Sequence, residues 1–395
     1  MKKISAWIRG LAAIYCNEFR LMFRDAGLML FVVFLPLAYP IIYSLIYNPE
    51  IVRDVATVVV DHDRTPFSRE LVRRLDAAQG IWIKGYAADL HEAQRAMASQ
   101  DCFTIIEIPE GFQKRTGRGE AAEVVMYCEM SLLLRYRACL VAATDVSQAL
   151  GAKIQARDVG ELGMASIASG DPMPVNSVAL GNIKSGFDSF IMPGVLMLIL
   201  QQCIVLVLGM RGGAGHEDPR KIGYDPINRD ASVVATMIGQ TAAYFTIMFV
   251  PLMFLFHYVP LIFAFPMAGN PWEILAFMLP MVLASMCLGL CLQAFVWERE
   301  SVFVLWVVTS VIFLFLSGLT WPRYAMPPVW KALSCISPAT WGVEGFIRMN
   351  TNGASLAQVA DCYRNLWILT GCYFVLAWML HRFVIRPTES RRVRA

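Results

Sequence analysis

Apolar residues in this chain gather into long unbroken blocks, and the length of each block points to membrane helices. Uncharged runs able to cross ~30 Å of hydrocarbon lie at Leu28–Tyr47, Phe190–Met210, Val233–Phe256, Ile274–Trp297, Ser301–Pro322 and Leu366–Leu380. His381 and Arg382 extend the last run by snorkelling. Six spans are expected. Between the first two the rhythm shortens: Val55–Val60, Ile81–Tyr86, Cys102–Ile108 and Glu123–Cys128 read as strands. Thr65-Pro66 opens a helix that closes near Gly80, Asp89-Leu90-His91-Glu92 forms a capping box for a helix to Gln100, and Pro109–Thr116 is a short helix. This alternation predicts a small α/β domain over residues 48–187. Ser131–Gly151 is nearly apolar enough to span, but Arg135, Arg137 and Asp145 would each cost ~2.5 kcal/mol or more near a bilayer centre. It reads as a long soluble helix continuing through Lys153–Gly170 until two prolines in Asp171–Asn176 break it.

Ahead of the first run, Ile4, Trp7, Ile8, Leu11, Ile14, Tyr15 and Met22 share one arc of a helical wheel, with Arg9, Asn17, Arg20 and Arg24 opposite. Residues 1–27 therefore predict an amphipathic helix in the membrane interface. Glu18 and Asp25, seven residues apart, project into the apolar arc. Desolvated carboxylates need partners, so this helix is expected to dock on protein, with both acids meeting cations or backbone donors.

Composition agrees with a membrane chain: 57% of the 395 residues are hydrophobic, 16% are charged, and the mean hydropathy is +0.51. The net charge of +3 gives no reason to expect nucleic acid, but the placement of Lys and Arg predicts topology. Cations cluster before the first span, in Arg211, Arg220, Lys221 and Arg229, at Arg299, and in the basic tail 386–395. Those segments, and both termini, are expected in the cytoplasm, which leaves the α/β domain outside it. Leu28–Tyr47 reads as a retained signal anchor, being too long for a signal peptide and followed by no small-x-small cleavage site.

The ten cysteines are scattered singly and read as small buried hydrophobes, with no zinc or disulfide framework. The five histidines are isolated, and neither a phosphate-binding G-x-x-x-x-G-K-[ST] loop nor a G-x-S-x-G elbow occurs. No enzyme site, metal site or cofactor is expected in the chain itself. Trp321–Asn350 combines aromatics with Pro322, Pro327, Pro328 and Pro338, which predicts two short re-entrant helices near Pro328–Ile336 and Pro338–Met349.

Four ordered stretches carry a resemblance. Glu18-Phe19, Arg24-Asp25 and Pro36 match an E-F-x-x-x-x-R-D helix leading into a proline-containing span. The insert contributes "VVVDHDRTPFSRELVRRL" and "IIEIPEGFQKRTGRGEAAEVVMY", the second span "FIMPGVLML", and the segment after the fifth span "FLSGLTWPRYAMPPVWKALSCISPATWGVEGFIRM". Together these resemble the large-subunit permeases of the type-2 ABC exporters over essentially the whole chain. The loop "RGGAGHEDPRKIGYDPINRD" departs from the family's Glu-rich pattern and keeps only Glu217 and Asp218.

The resemblance implies a polytopic α-helical membrane protein with six transmembrane helices and an inserted extracytoplasmic α/β domain, placed in the bacterial inner membrane. It implies an ABC ATPase subunit that binds ATP and Mg, a second permease (a second copy or a paralogue), and a periplasmic adaptor protein. Glu18, Phe19, Arg20, Arg24, Asp25, Glu217 and Asp218 become coupling residues toward the ATPase; Trp321, Pro322, Pro338, Trp341 and Glu344 become an outer gate. Few polar residues (Gln201, Gln202, Gln240, His257, Gln293) fall within the spans, which suits an apolar or amphipathic cargo. The competing reading is a membrane receptor or scaffold whose α/β domain senses a ligand.

Overall fold

The computed structural model describes residues 2–47, 51–118, 120, 122–161, 186–217 and 232–387. Asp218, Arg220, Lys221, Arg229, the break at 171–176 and the tail from 388 lie outside the described residues. The chain divides into two compact units, Met1–Asn48 with Ala179–Ala395, and Pro49–Val178.

In the larger unit α1 spans Lys2–Arg24 and α2 spans Ala26–Tyr47. Then follow α7 (Phe187–Glu217), α8 (Val233–Phe263), α9 (Pro271–Leu292), α10 (Ser301–Leu316), α11 (Pro328–Ser334), α12 (Pro338–Asn350) and α13 (Ala360–Ile385). Among the described residues five of these helices, α2, α7, α8, α9 and α13, are long and apolar enough to cross a membrane. The expected run Ser301–Pro322 folds as the 16-residue α10, about 24 Å long. It stops early because Gly318 takes φ +88°, a left-handed conformation that ends the helix.

Helix α7 is apolar on every side, and a helix of that kind must be surrounded. Its most apolar window is 94% buried, whereas those of α2 and α13 are each 22% buried. Small residues let neighbours approach it: a methyl group on Gly213 would sit 2.8 Å from the Glu298 carbonyl and 2.9 Å from the Arg299 backbone. The outward faces of α2 and α10 carry exposed Leu30, Phe34, Ile42, Val304, Val308 and Phe315.

The smaller unit is built on a four-stranded sheet ordered β2-β1-β3-β4, from β1 (Val55–Asp61), β2 (Ile81–Tyr86), β3 (Thr104–Ile108) and β4 (Val125–Cys128). The first three pair in parallel and β4 runs antiparallel to β3. Helices α3 (Pro66–Asp76), α4 (Leu90–Ala98), α5 (Phe112–Thr116) and α6 (Leu133–Glu161) complete it. Alternation along β1 sends Val55 and Val59 into a core with Leu71, Val72, Leu75 and Leu150, and Val58 and Val60 into a second core with Ala93 and Cys102. The Asp61-His62-Asp63 turn is bound tightly. Asp61 Oδ1 accepts from the Asp63 and Arg64 amides, and its Oδ2 accepts from the Ser68 hydroxyl at 2.7 Å. Thr65 and Ser68 then cap α3 reciprocally.

Candidate functional site

The N-terminal amphipathic pattern produces α1, and its partner surface is α8. Ile14 and Met22 are fully buried while Arg20 and Arg24 are exposed. Gly239 provides the room, since a methyl there would lie 2.7 Å from Ile14. Trp7 donates to Ser232 at 3.3 Å, Tyr15 to Thr246 at 3.2 Å, and Phe19 stacks on Tyr15 and meets Phe23 at a tilt.

At the centre of this contact Glu18 is 0% exposed. Arg211 of α7 donates from Nε and Nη2 to its two oxygens, each at 2.9 Å, and Gln240 of α8 donates at 3.2 Å. A two-pronged guanidinium–carboxylate contact fixes orientation as well as charge. Three helices therefore meet in one buried polar cluster. Arg211 was expected in a cytoplasmic loop; instead α7 continues to Glu217 and carries Arg211 inside the protein, 3% exposed.

Asp25 departs from the expected wheel. The backbone there has φ −102°, ψ 102°, so α1 ends at Arg24, and Asp25 becomes the N-cap of α2, accepting from the Gly27 and Leu28 amides. The same carboxylate accepts from Arg299 Nη2, and the Arg299 amide donates to Glu217 at 2.7 Å. Phe19 packs against the core, whereas the exposed Arg20 and Arg24 do not enter either ion pair. Sequence reading supplied both acids and Glu217. It set Gln240 among the polar residues of the spans and gave Arg211 and Arg299 no role beyond topology, because contacts between distant helices leave no mark in spacing.

The stretch Trp321–Asn350 folds with the two expected short helices. Pro338 is buried at the start of α12, whose Ala339 amide donates to Gln201 of α7 at 2.6 Å. Trp341 donates to the Cys335 carbonyl at 3.1 Å, and the Arg323 guanidinium lies 4.2 Å from the Trp341 ring centre. Arg323 also pairs with Glu344. The acid assigned to the outer gate therefore has a cationic partner within its own chain. Pro322 precedes a short turn, and Trp321, 58% exposed, donates to the Ala325 carbonyl at 3.2 Å.

Of the amides in the spans, Gln201, Gln240 and Gln293 are used in joining helices, Gln293 donating to the Leu208 carbonyl at 3.0 Å. Gln202 differs. It is 6% exposed in mid-α7 and neither end of its amide has a partner among the described residues.

Against known sequences, the profile of the family described as ABC-2 family transporter protein matches residues 27–379. No curated protein matches the chain significantly.

Proposed function

The chain belongs to the ABC-2 transporter family, and we propose that it is the permease subunit of an ATP-driven exporter in a bacterial inner membrane. Members of this family are membrane components that work with a separate ABC ATPase, and the receptor reading gives way to transport. In this proposal α2, α7, α8, α9, α10 and α13 are six spans, α1 and the tail lie on the cytoplasmic side, and the α/β unit lies outside. A second permease covers apolar faces such as that of α2 and α10. Nucleotide and Mg belong to the ATPase, and an adaptor meets the outer domain.

The observation that carries the coupling assignment is the buried Glu18–Arg211–Gln240 cluster. A helix lying in the interface transmits a push only if it is fixed to the spans, and this cluster fixes α1 to both α7 and α8. Asp25, Arg299 and Glu217 add a second fixation where α1 turns into α2. Phe19, Arg20, Arg24 and Asp218 complete the surface assigned to the ATPase. Cargo contact is assigned to Gln202, a buried amide left without a protein partner among the described residues. An apolar or amphipathic cargo with one hydrogen-bonding group suits it.

Purification from native membranes, with identification of bound subunits, tests the proposal: an ABC ATPase should co-purify. Its absence, or recovery of a signalling protein in its place, would overturn the transport assignment.

A further inference from the structure

The strands and helices of the α/β unit bring together two cysteines whose sequence separation carried no signal. Cys128 ends β4 and pairs in register with Thr104 of β3, so both side chains share one face of the sheet. Cys139 lies in the second turn of α6, which covers that face. The Thr104 hydroxyl oxygen is 3.7 Å from Cys128 Sγ and 3.1 Å from Cys139 Sγ. One hydroxyl thus touches both sulfurs, which places the two thiols side by side between β4 and α6. Cys139 is fully buried and Cys128 half-buried, an asymmetry that gives one thiol access to solvent and hides the other behind it.

We infer that Cys128 and Cys139 form a dithiol–disulfide pair that exchanges with an external disulfide, Cys128 attacking first and Cys139 resolving. The inference rests on the proposed outer location only for where oxidation occurs in the cell, since that compartment holds disulfides and the cytoplasm reduces them. The hydrogen bond from the Cys139 thiol holds Cys128 down at about 7, against the opposing effect of burial. That bond and burial together push Cys139 well up. Cys128 is thus the nucleophile near neutral pH.

In the first step the Cys128 thiolate attacks one sulfur of the incoming disulfide, whose other half leaves as a thiolate. Cys139 then loses its proton and attacks Cys128 sulfur, expelling the second thiolate. Two protein thiols are oxidised, one external disulfide is reduced to two thiols, and the two protons go with the leaving groups. The bond would tie β4 to α6. Met126 beside β4's end and Ala143, Ser147 and Leu150 of α6 line a cleft of about 390 Å³, so oxidation would fix the distance between those walls.

The full-length protein in detergent, reduced and then exposed to oxidised glutathione, tests the chemistry by alkylation and peptide mass analysis. A Cys128–Cys139 disulfide is expected in the wild type, and a trapped glutathione adduct on Cys128 in Cys139→Ser. Free, alkylatable thiols at both positions of the folded wild type would overturn the inference, whether or not the variant folds. A second arm blocks thiols in intact cells before lysis. A disulfide formed in detergent but absent in cells would overturn the outer location and leave the pair standing.

Discussion

Glu18 is the residue on which the coupling assignment turns, and its energetics are asymmetric. The intact buried pair adds little net stability, because desolvation of both charges offsets their attraction. Removing one partner strands the other at a cost of ~3–5 kcal/mol. Glu18→Ala and Arg211→Ala should each loosen α1 while the spans still insert, and stimulation of ATP hydrolysis in the reconstituted complex should be lost. The exchanged variant, Glu18→Arg with Arg211→Glu, should recover part of it. Wild-type coupling in both single variants would return α1 to the role of a headgroup anchor. Gln202 gives the opposite signature: Gln202→Leu relieves an unpartnered amide worth ~1–3 kcal/mol, so thermal stability should rise while efflux falls. Unchanged efflux would remove Gln202 from the cargo path.

Elements were legible where local chemistry decides them and illegible where a neighbour does. Thr65-Pro66 and the four apolar runs of the insert specified α3 and the strands, since caps and alternation act within a few residues. Asp25 shows the limit. By periodicity it extends α1, but its carboxylate satisfies the free amides at the start of α2, and the cap ends one helix to begin the next. Length along α7 was misjudged for a related reason: an apolar count stops at Arg211, yet a charged side chain continues a helix when a buried acid awaits it. In Trp321–Asn350 the proline positions located α11 and α12, while the Arg323–Glu344 pair joining the preceding turn to α12 was invisible. That pair supplies a test of the outer-gate expectation. If the segment moves as one body, Arg323→Leu and Glu344→Leu should each lower efflux at matched expression, and the double variant should fall no further than either single one. Additive losses would mean that the two residues act separately, and no loss in any of the three, with Trp341→Ala also silent, would leave the segment a passive anchor.

For the whole molecule, the central fact is that the chain splits into a sheet-based unit and a helical unit with separate cores. Each core closes on its own residues, so a fragment covering 50–187 should fold and remain soluble without the spans. The fragment also carries a pH signature. Burial pushes the Asp63 carboxyl up, but the Thr65 hydroxyl and the Gln113 amide donate to it and hold it below its ordinary value. A depressed folded value contributes stability that is present above the unfolded value near 4 and lost as pH falls through the folded one. Asp63→Asn should therefore melt lower than wild type at pH 6, with the difference closing toward pH 3. Location is tested in the intact chain: a single engineered cysteine at position 90, in a background lacking the native cysteines, should react with an impermeant reagent in whole cells. Labelling only after lysis would place the unit in the cytoplasm, reverse the orientation of every span, and turn the charged face of α1 away from the ATPase it is assigned to meet.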